Sequence, residues 1–156
     1  MPAVQSLYPA TMRPYVVGMV QNQETANTTS LAAVEDAAGM AFGVAAFRGT
    51  TDKRLTATPT AGKFRGITVR DITQQALAPT ANQDLYPQYS TPSLLTMGRI
   101  PVNVSVAVNQ EDDVYVTNTG AFTNVPTATV STNVKCGQFK FDTTLTAPGI
   151  GLIARR

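Results

Sequence analysis

Residues 97–117 read MGRIPVNVSVAVNQEDDVYVT, and this stretch decides the fold class. Val102, Val104, Val106 and Val108 alternate with Asn103, Ser105 and Ala107, the period-two pattern of a strand with one buried face. Gln110, Glu111, Asp112 and Asp113 interrupt the apolar positions before Val114, Tyr115 and Val116 resume them. The spacing predicts a strand, a polar turn and a returning strand, forming the central hairpin of an all-β fold. Seven extended residues at about 3.3 Å each span roughly 23 Å, enough to cross a small domain.

Outward from this hairpin, further short strands follow. Residues 64–71, FRGITVRD, carry apolar bulk at Phe64, Ile67 and Val69, with Gly66 marking a bulge or a close approach of two backbones. Residues 40–47 predict a buried strand and 15–20 a short one. Residues 55–58 alternate inside a loop, and Phe139, Phe141 and the run 150–153 supply the last strands. Ser30 is placed to cap a short helix over residues 31–38, ended by Gly39. Seven to nine strands separated by turns predict an all-β, single-domain β-barrel or jelly-roll-like sandwich. Residues 1–14 contain Pro2, Pro9 and Pro14 and little periodicity, which predicts an extended N-terminal arm on a body of residues 15–156. Residues 73–92, with Pro79, Pro87 and Pro92, predict a long loop of the kind that is functional or ordered by a partner.

At 156 residues the chain fits one domain whose core needs neither metal nor disulfide. Charged residues are 14% of it against roughly 25% in ordinary soluble proteins, which suits a surface that rests against other protein. A net charge of +2 is too small for a protein that binds nucleic acid by neutralising phosphates. Arg48, Lys53, Arg54, Lys63, Arg65 and Arg70 cluster in one third of the chain, but Asp52 and Asp71 intersperse them.

The residue inventory offers little chemistry. Cys136 is the only cysteine and there is no histidine, so an intrachain disulfide, a His-based metal site and Ser-His-Asp catalysis are excluded. Thr60-Ala61-Gly62-Lys63 lacks the earlier glycine and the following hydroxyl residue of a phosphate loop. Glu111, Asp112 and Asp113 have no distant acidic partner with which to complete a calcium site. No carboxylate pair stands out for acid–base work. No catalytic, cofactor or metal residue is therefore expected. The N-terminus has neither the basic start nor the apolar core of a secretory signal, and the longest apolar run, 37–47, is about half of a bilayer span. A protein made in the cytosol, without membrane partners, is expected. Leu7, Tyr8, Tyr15, Tyr86 and Tyr89 lie in poorly periodic, Pro-containing segments, where apolar and aromatic residues serve as contact points.

Three stretches together resemble the capsid cement, or decoration, proteins of tailed bacteriophages. They are Phe42-Gly43 leading into a strand and a Gly49 turn, Lys63-Phe64-Arg65-Gly66-Ile67-Thr68-Val69, and Gly98-Arg99-Ile100-Pro101-Val102 followed by Asp113-Val114-Tyr115-Val116. The resemblance spans roughly residues 15–155. One departure is Glu111-Asp112-Asp113 where the family often places a Gly-Asp-Pro turn. The resemblance implies a β-barrel or jelly-roll-like fold and a small homo-oligomer, a dimer before a trimer. It also implies a virion location on the outer face of an icosahedral head, where such proteins bridge major capsid subunits. On that reading the arm, the loop 73–92 and the C-terminal end with Arg155 and Arg156 make most of the contacts. The competing possibility is a glycan- or host-surface-binding β-sandwich displayed on a phage particle. The absence of tryptophan counts against sugar stacking.

Overall fold

The computed structural model describes residues 15–20, 25–71, 85–126 and 133–156. These residues contain strands and turns and no helix. The first six strands are β1 (Asn27–Thr29), β2 (Ala33–Val34), β3 (Met40–Ala41), β4 (Ala45–Arg48), β5 (Arg54–Thr56) and β6 (Phe64–Thr68). They are followed by β7 (Leu85–Tyr86), β8 (Leu94–Val104), β9 (Asp113–Val116), β10 (Phe122–Thr123), β11 (Val134–Phe141) and β12 (Gly149–Arg155).

Strand β8 is the spine. Its second half pairs with β12 in an unbroken antiparallel register, from Arg155 opposite Gly98 to Gly149 opposite Val104. From β12 the ladder runs through β11, β9 and β10, and Phe122 of β10 returns to Val104 of β8 in parallel. The five strands therefore close on themselves as a small barrel, which removes free edges from this half of the molecule. The first half of β8 carries β1 on one side and β6 on the other, and the sheet extends from β6 through β4 and β5 to β2. One eleven-residue strand thus belongs to both halves. Gly66 permits the approach at the junction, since a Cβ there would meet the Leu95 carbonyl oxygen at 2.8 Å.

The core follows this plan. Phe47, Ile67, Leu95, Ile100, Val102, Val116, Phe122, Phe139, Phe141 and Ile153 are among the buried residues of one cluster. Phe64 stands edge-on to Phe47 and to Phe139, at 5.8 and 6.1 Å between ring centroids, and so fastens the open sheet to the barrel. A second cluster, including Val34, Met40, Phe42, Leu55 and Tyr86, fills the space beside the two-stranded β3–β7 ladder. Thr68 is fully buried there. Its hydroxyl donates to Ala41 O at 2.8 Å and accepts from Val44 N at 3.0 Å, which satisfies the backbone of the turn between β3 and β4.

All-β architecture in a barrel or sandwich arrangement is what the sequence predicts, but several elements differ. The expected central hairpin is not formed. β8 begins at Leu94 and its ladder ends at Val104, and β9 pairs with β10 and β11 rather than with β8. Burial nevertheless alternates as far as Val108, which bridges to Leu145. A period of two reports one buried face and does not name the partner strand. The helix expected over 31–38 is replaced by β2 and a turn. Ala33 N donates to Lys53 O and Val34 N to Ser90 O, so tertiary pairing overrides local alanine propensity. Ser30 meets Ser93 instead of capping a helix. The strand expected at 40–47 is broken by the turn at Phe42 and Gly43, and 15–20 is a turn closed by Met19 N to Val16 O.

Candidate functional site

The sequence candidates separate by burial. Leu7 and Tyr8, the arm 1–14 and residues 73–84 of the long loop lie outside the described residues. Tyr15 is partly exposed. Tyr86, expected at a contact surface, is instead 1% exposed. Its hydroxyl donates to Val69 O at 2.7 Å and its ring meets Phe42 edge-on at 5.1 Å. It fills the second core cluster, and burial pushes its phenol above the ordinary tyrosine range. Alternating Pro and Tyr residues suggest exposure, yet a buried tyrosine is stable wherever its hydroxyl finds a backbone acceptor.

Tyr89 is the opposite case, 66% exposed on a tight turn. The turn is held from several directions. Tyr89 N donates to Val34 O at 2.9 Å, Ser90 N and Oγ both donate to Pro87 O, and Gln88 Nε2 donates to Glu35 O at 2.9 Å. The Arg54 guanidinium lies 5.0 Å from the Tyr89 ring centroid, within cation–π range. Arg54 is the register partner of Ala33 in β2, and Leu31, two residues earlier, is 84% exposed. Leu31 borders a recess of about 220 Å³ with Asp52, Arg65, Leu94 and Thr96 among its walls. Sequence reasoning misses Leu31 and Arg54, because nothing local distinguishes an exposed leucine from the buried ones beside it.

The two C-terminal arginines have different surroundings. Arg155 Nη1 donates to Thr96 O at 3.2 Å. Arg156 Nη2 lies 3.2 Å from Asp142 Oδ1, and Arg99 Nε lies 2.6 Å from Asp142 Oδ2. The Asp142 side chain is 6% exposed, so this carboxylate is covered on one side by β8 and on the other by Arg156. The structure therefore brings Tyr89 and Arg54 together, ties Arg155 to the Thr96 backbone, and turns Arg156 toward the Asp142 carboxylate.

Groups with catalytic potential are poorly placed for it. The Cys136 thiol is buried, and desolvation drives its pKa far above the ordinary thiol value. The carboxylates of Asp112 and Asp113 serve local structure, and Glu111 contributes its backbone, whose N–H donates to Phe141 O and whose carbonyl accepts from Lys140 Nζ. Asp112 accepts from Asn109 N and Asn124 Nδ2. Asp113 is held below the usual carboxylate range, chiefly by its hydrogen bond from Lys135. Among the described residues no helix is long and apolar enough to cross a membrane.

The described residues thus form a small closed barrel fused to an open sheet, with exposed Tyr89, Arg54 and Leu31 at the sheet's far edge. The chain belongs to the structural cement protein family (E217 gp24/Pam3 gp6), whose model matches residues 4–156. Its fold is shared by a chain of the structure described as "The capsid of Myoviridae Phage XM1". The TM-score is 0.67 at 16% identity, over 99% of this chain and 97% of that one. No curated protein matches the chain. The protein is a structural component of a bacteriophage capsid, as the sequence resemblance implies.

Proposed function

We propose that this protein binds the outer face of an icosahedral phage head as a small homo-oligomer, a dimer before a trimer, and bridges neighbouring major capsid subunits. The observation that carries this reading is the family match along residues 4–156. The physical logic is additive. Each copy buries a moderate area against several subunits, and the same contact repeats over the whole shell, so modest free energies sum into resistance to internal pressure. On this reading residues 1–14 and the loop 73–92 supply the contacts beyond the body, whereas Ile153 is buried in β12 and leaves only Arg155 and Arg156 of the C-terminal end for a neighbour. A segment that lies along a neighbouring sheet edge adds a strand to it. Synthesis in the host cytoplasm precedes assembly on the head.

The test is a mixing experiment with purified protein and expanded heads that lack it, followed by sedimentation and image reconstruction. Saturable binding at symmetry-related positions on the exterior, each position touching more than one capsid subunit, is expected. Failure to sediment with the heads would remove the proposal. Deletion of residues 1–14 is expected to leave the body folded and to lower occupancy, and unchanged occupancy would remove the arm from the contact.

A further inference from the structure

Tyr89 combines two features that disfavour it in the free protein. Its φ is +66°, in the left-handed region that glycine or asparagine occupies at less cost, and its ring is 66% exposed, so burial does not offset that cost. Among the described residues only Glu111 shares a positive φ without being glycine, and Glu111 presents a polar side chain. The hydrogen bonds from Tyr89 to Val34 and from Gln88 to Glu35 lock the turn, so the point from which the ring projects is fixed. Strain sustained by its surroundings and spent on an exposed aromatic is the pattern of a pre-organised binding anchor.

The neighbourhood has a definite sign. Arg48 and Arg65 share Asp52, at 2.9 and 3.7 Å, whereas the Arg54 guanidinium stands over the Tyr89 ring and no carboxylate pairs with it among the described residues. Lys53 beside it is exposed. Glu35, whose Oε2 accepts from Thr50 N beside Gly49 and Arg54, is the second acid here, so four cations meet two acids along this edge, and Leu31 adds exposed apolar surface. Tyrosine and arginine are the residue types enriched where binding energy concentrates.

We infer that Tyr89 and Arg54 form the energetic centre of the contact with the head, the ring seating in an apolar depression of the capsid protein and the guanidinium meeting an acidic group at its rim. This rests on the proposed function and narrows it to one patch. The occupant is the capsid protein and not a second copy of this chain, because the edge is cationic and a second copy would set Lys53 and Arg54 against like charge if it docked face to face.

The experiment compares wild type, Tyr89→Gly and Arg54→Ala, measuring thermal midpoint, sedimentation of the free protein, and saturation of heads lacking it at low and high salt. Tyr89→Gly relieves the backbone strain, so its midpoint is expected to hold or rise while the half-saturating concentration increases at least tenfold. Arg54→Ala is expected to weaken binding and flatten its salt dependence. If wild type fails to bind heads, the proposed function falls and this inference with it. If wild type binds and Tyr89→Gly binds equally well, the function stands and the anchor is overturned. A midpoint that drops in step with binding makes the turn merely structural, and a variant that dissociates the free oligomer while still saturating heads assigns the patch to a second copy; either result also overturns it.

Discussion

Arg99 Nε sits 2.6 Å from Asp142 Oδ2, an ion pair that joins the middle of the β8 spine to the residue just after β11. Arg156 closes the other side of the same carboxylate at 3.2 Å. One nearly buried acid thus fixes three parts of the barrel that are distant in sequence, and its own backbone N–H donates to Leu152 O at 2.8 Å. Removing the carboxylate leaves Arg99 partly buried without a counter-charge. Asp142→Ala is expected to lower unfolding stability by about 1–3 kcal/mol, below the full cost of breaking a buried pair because Arg156 is exposed and finds water. Asp142→Asn, which keeps the acceptor oxygen, loses less. Denaturant unfolding of the three proteins checks the order.

Gly43 and Gly18 pack backbone against backbone. A Cβ on Gly43 would lie 2.4 Å from Val17 Cγ1 and 2.7 Å from Gly18 N, at a φ of +68°. Segment 15–20 is otherwise tied to the body by Gly18 N to Pro101 O at 2.9 Å and Arg70 N to Gly18 O at 2.6 Å. Gly43→Ala is therefore expected to loosen this segment, with hydrogen exchange speeding at Gly18 and Arg70 while the β8–β12 ladder keeps its protection. Equal loss of protection in both places would show that the segment is not separable from the barrel.

Cys136 supplies a pH signature. Burial raises its thiol pKa in the folded protein, whereas the unfolded chain titrates near the ordinary value of about 8.5. Below that value both states hold the proton and the cysteine is neutral to stability. Above it the unfolded chain alone ionises, so stability falls with rising pH by up to about 1.4 kcal/mol per unit. Cys136→Ala is expected to remove that slope, and a thiol reagent at pH 8 is expected to label wild type only after unfolding. Fast labelling of the native protein would contradict the burial.

How much of this was legible in the sequence depends on the range of the interaction. The strand character of FRGITVRD and of the run 102–108 comes from local alternation, and both segments are strand or strand-like in burial. The pairing of β10 between β8 and β9 is non-local, and no residue of the predicted hairpin encodes it. Residues 31–38 favour helix by composition, but the groups that capture Ala33 and Val34 belong to Lys53 and Ser90. The contact surface divides in the same way. Tyr86 and Tyr89 look equivalent three residues apart, and only the packing of Phe42 and the position of Arg54 separate a core residue from an exposed one.

The central claim is that this protein strengthens a capsid, and the most direct measurement is the disruption temperature of heads lacking it as the protein is titrated in. Stabilisation that grows with occupancy and reaches a plateau at saturation is expected, by mass action on the assembled shell alone. Full occupancy with an unchanged disruption temperature would contradict it, leaving a protein that decorates the head without holding it together.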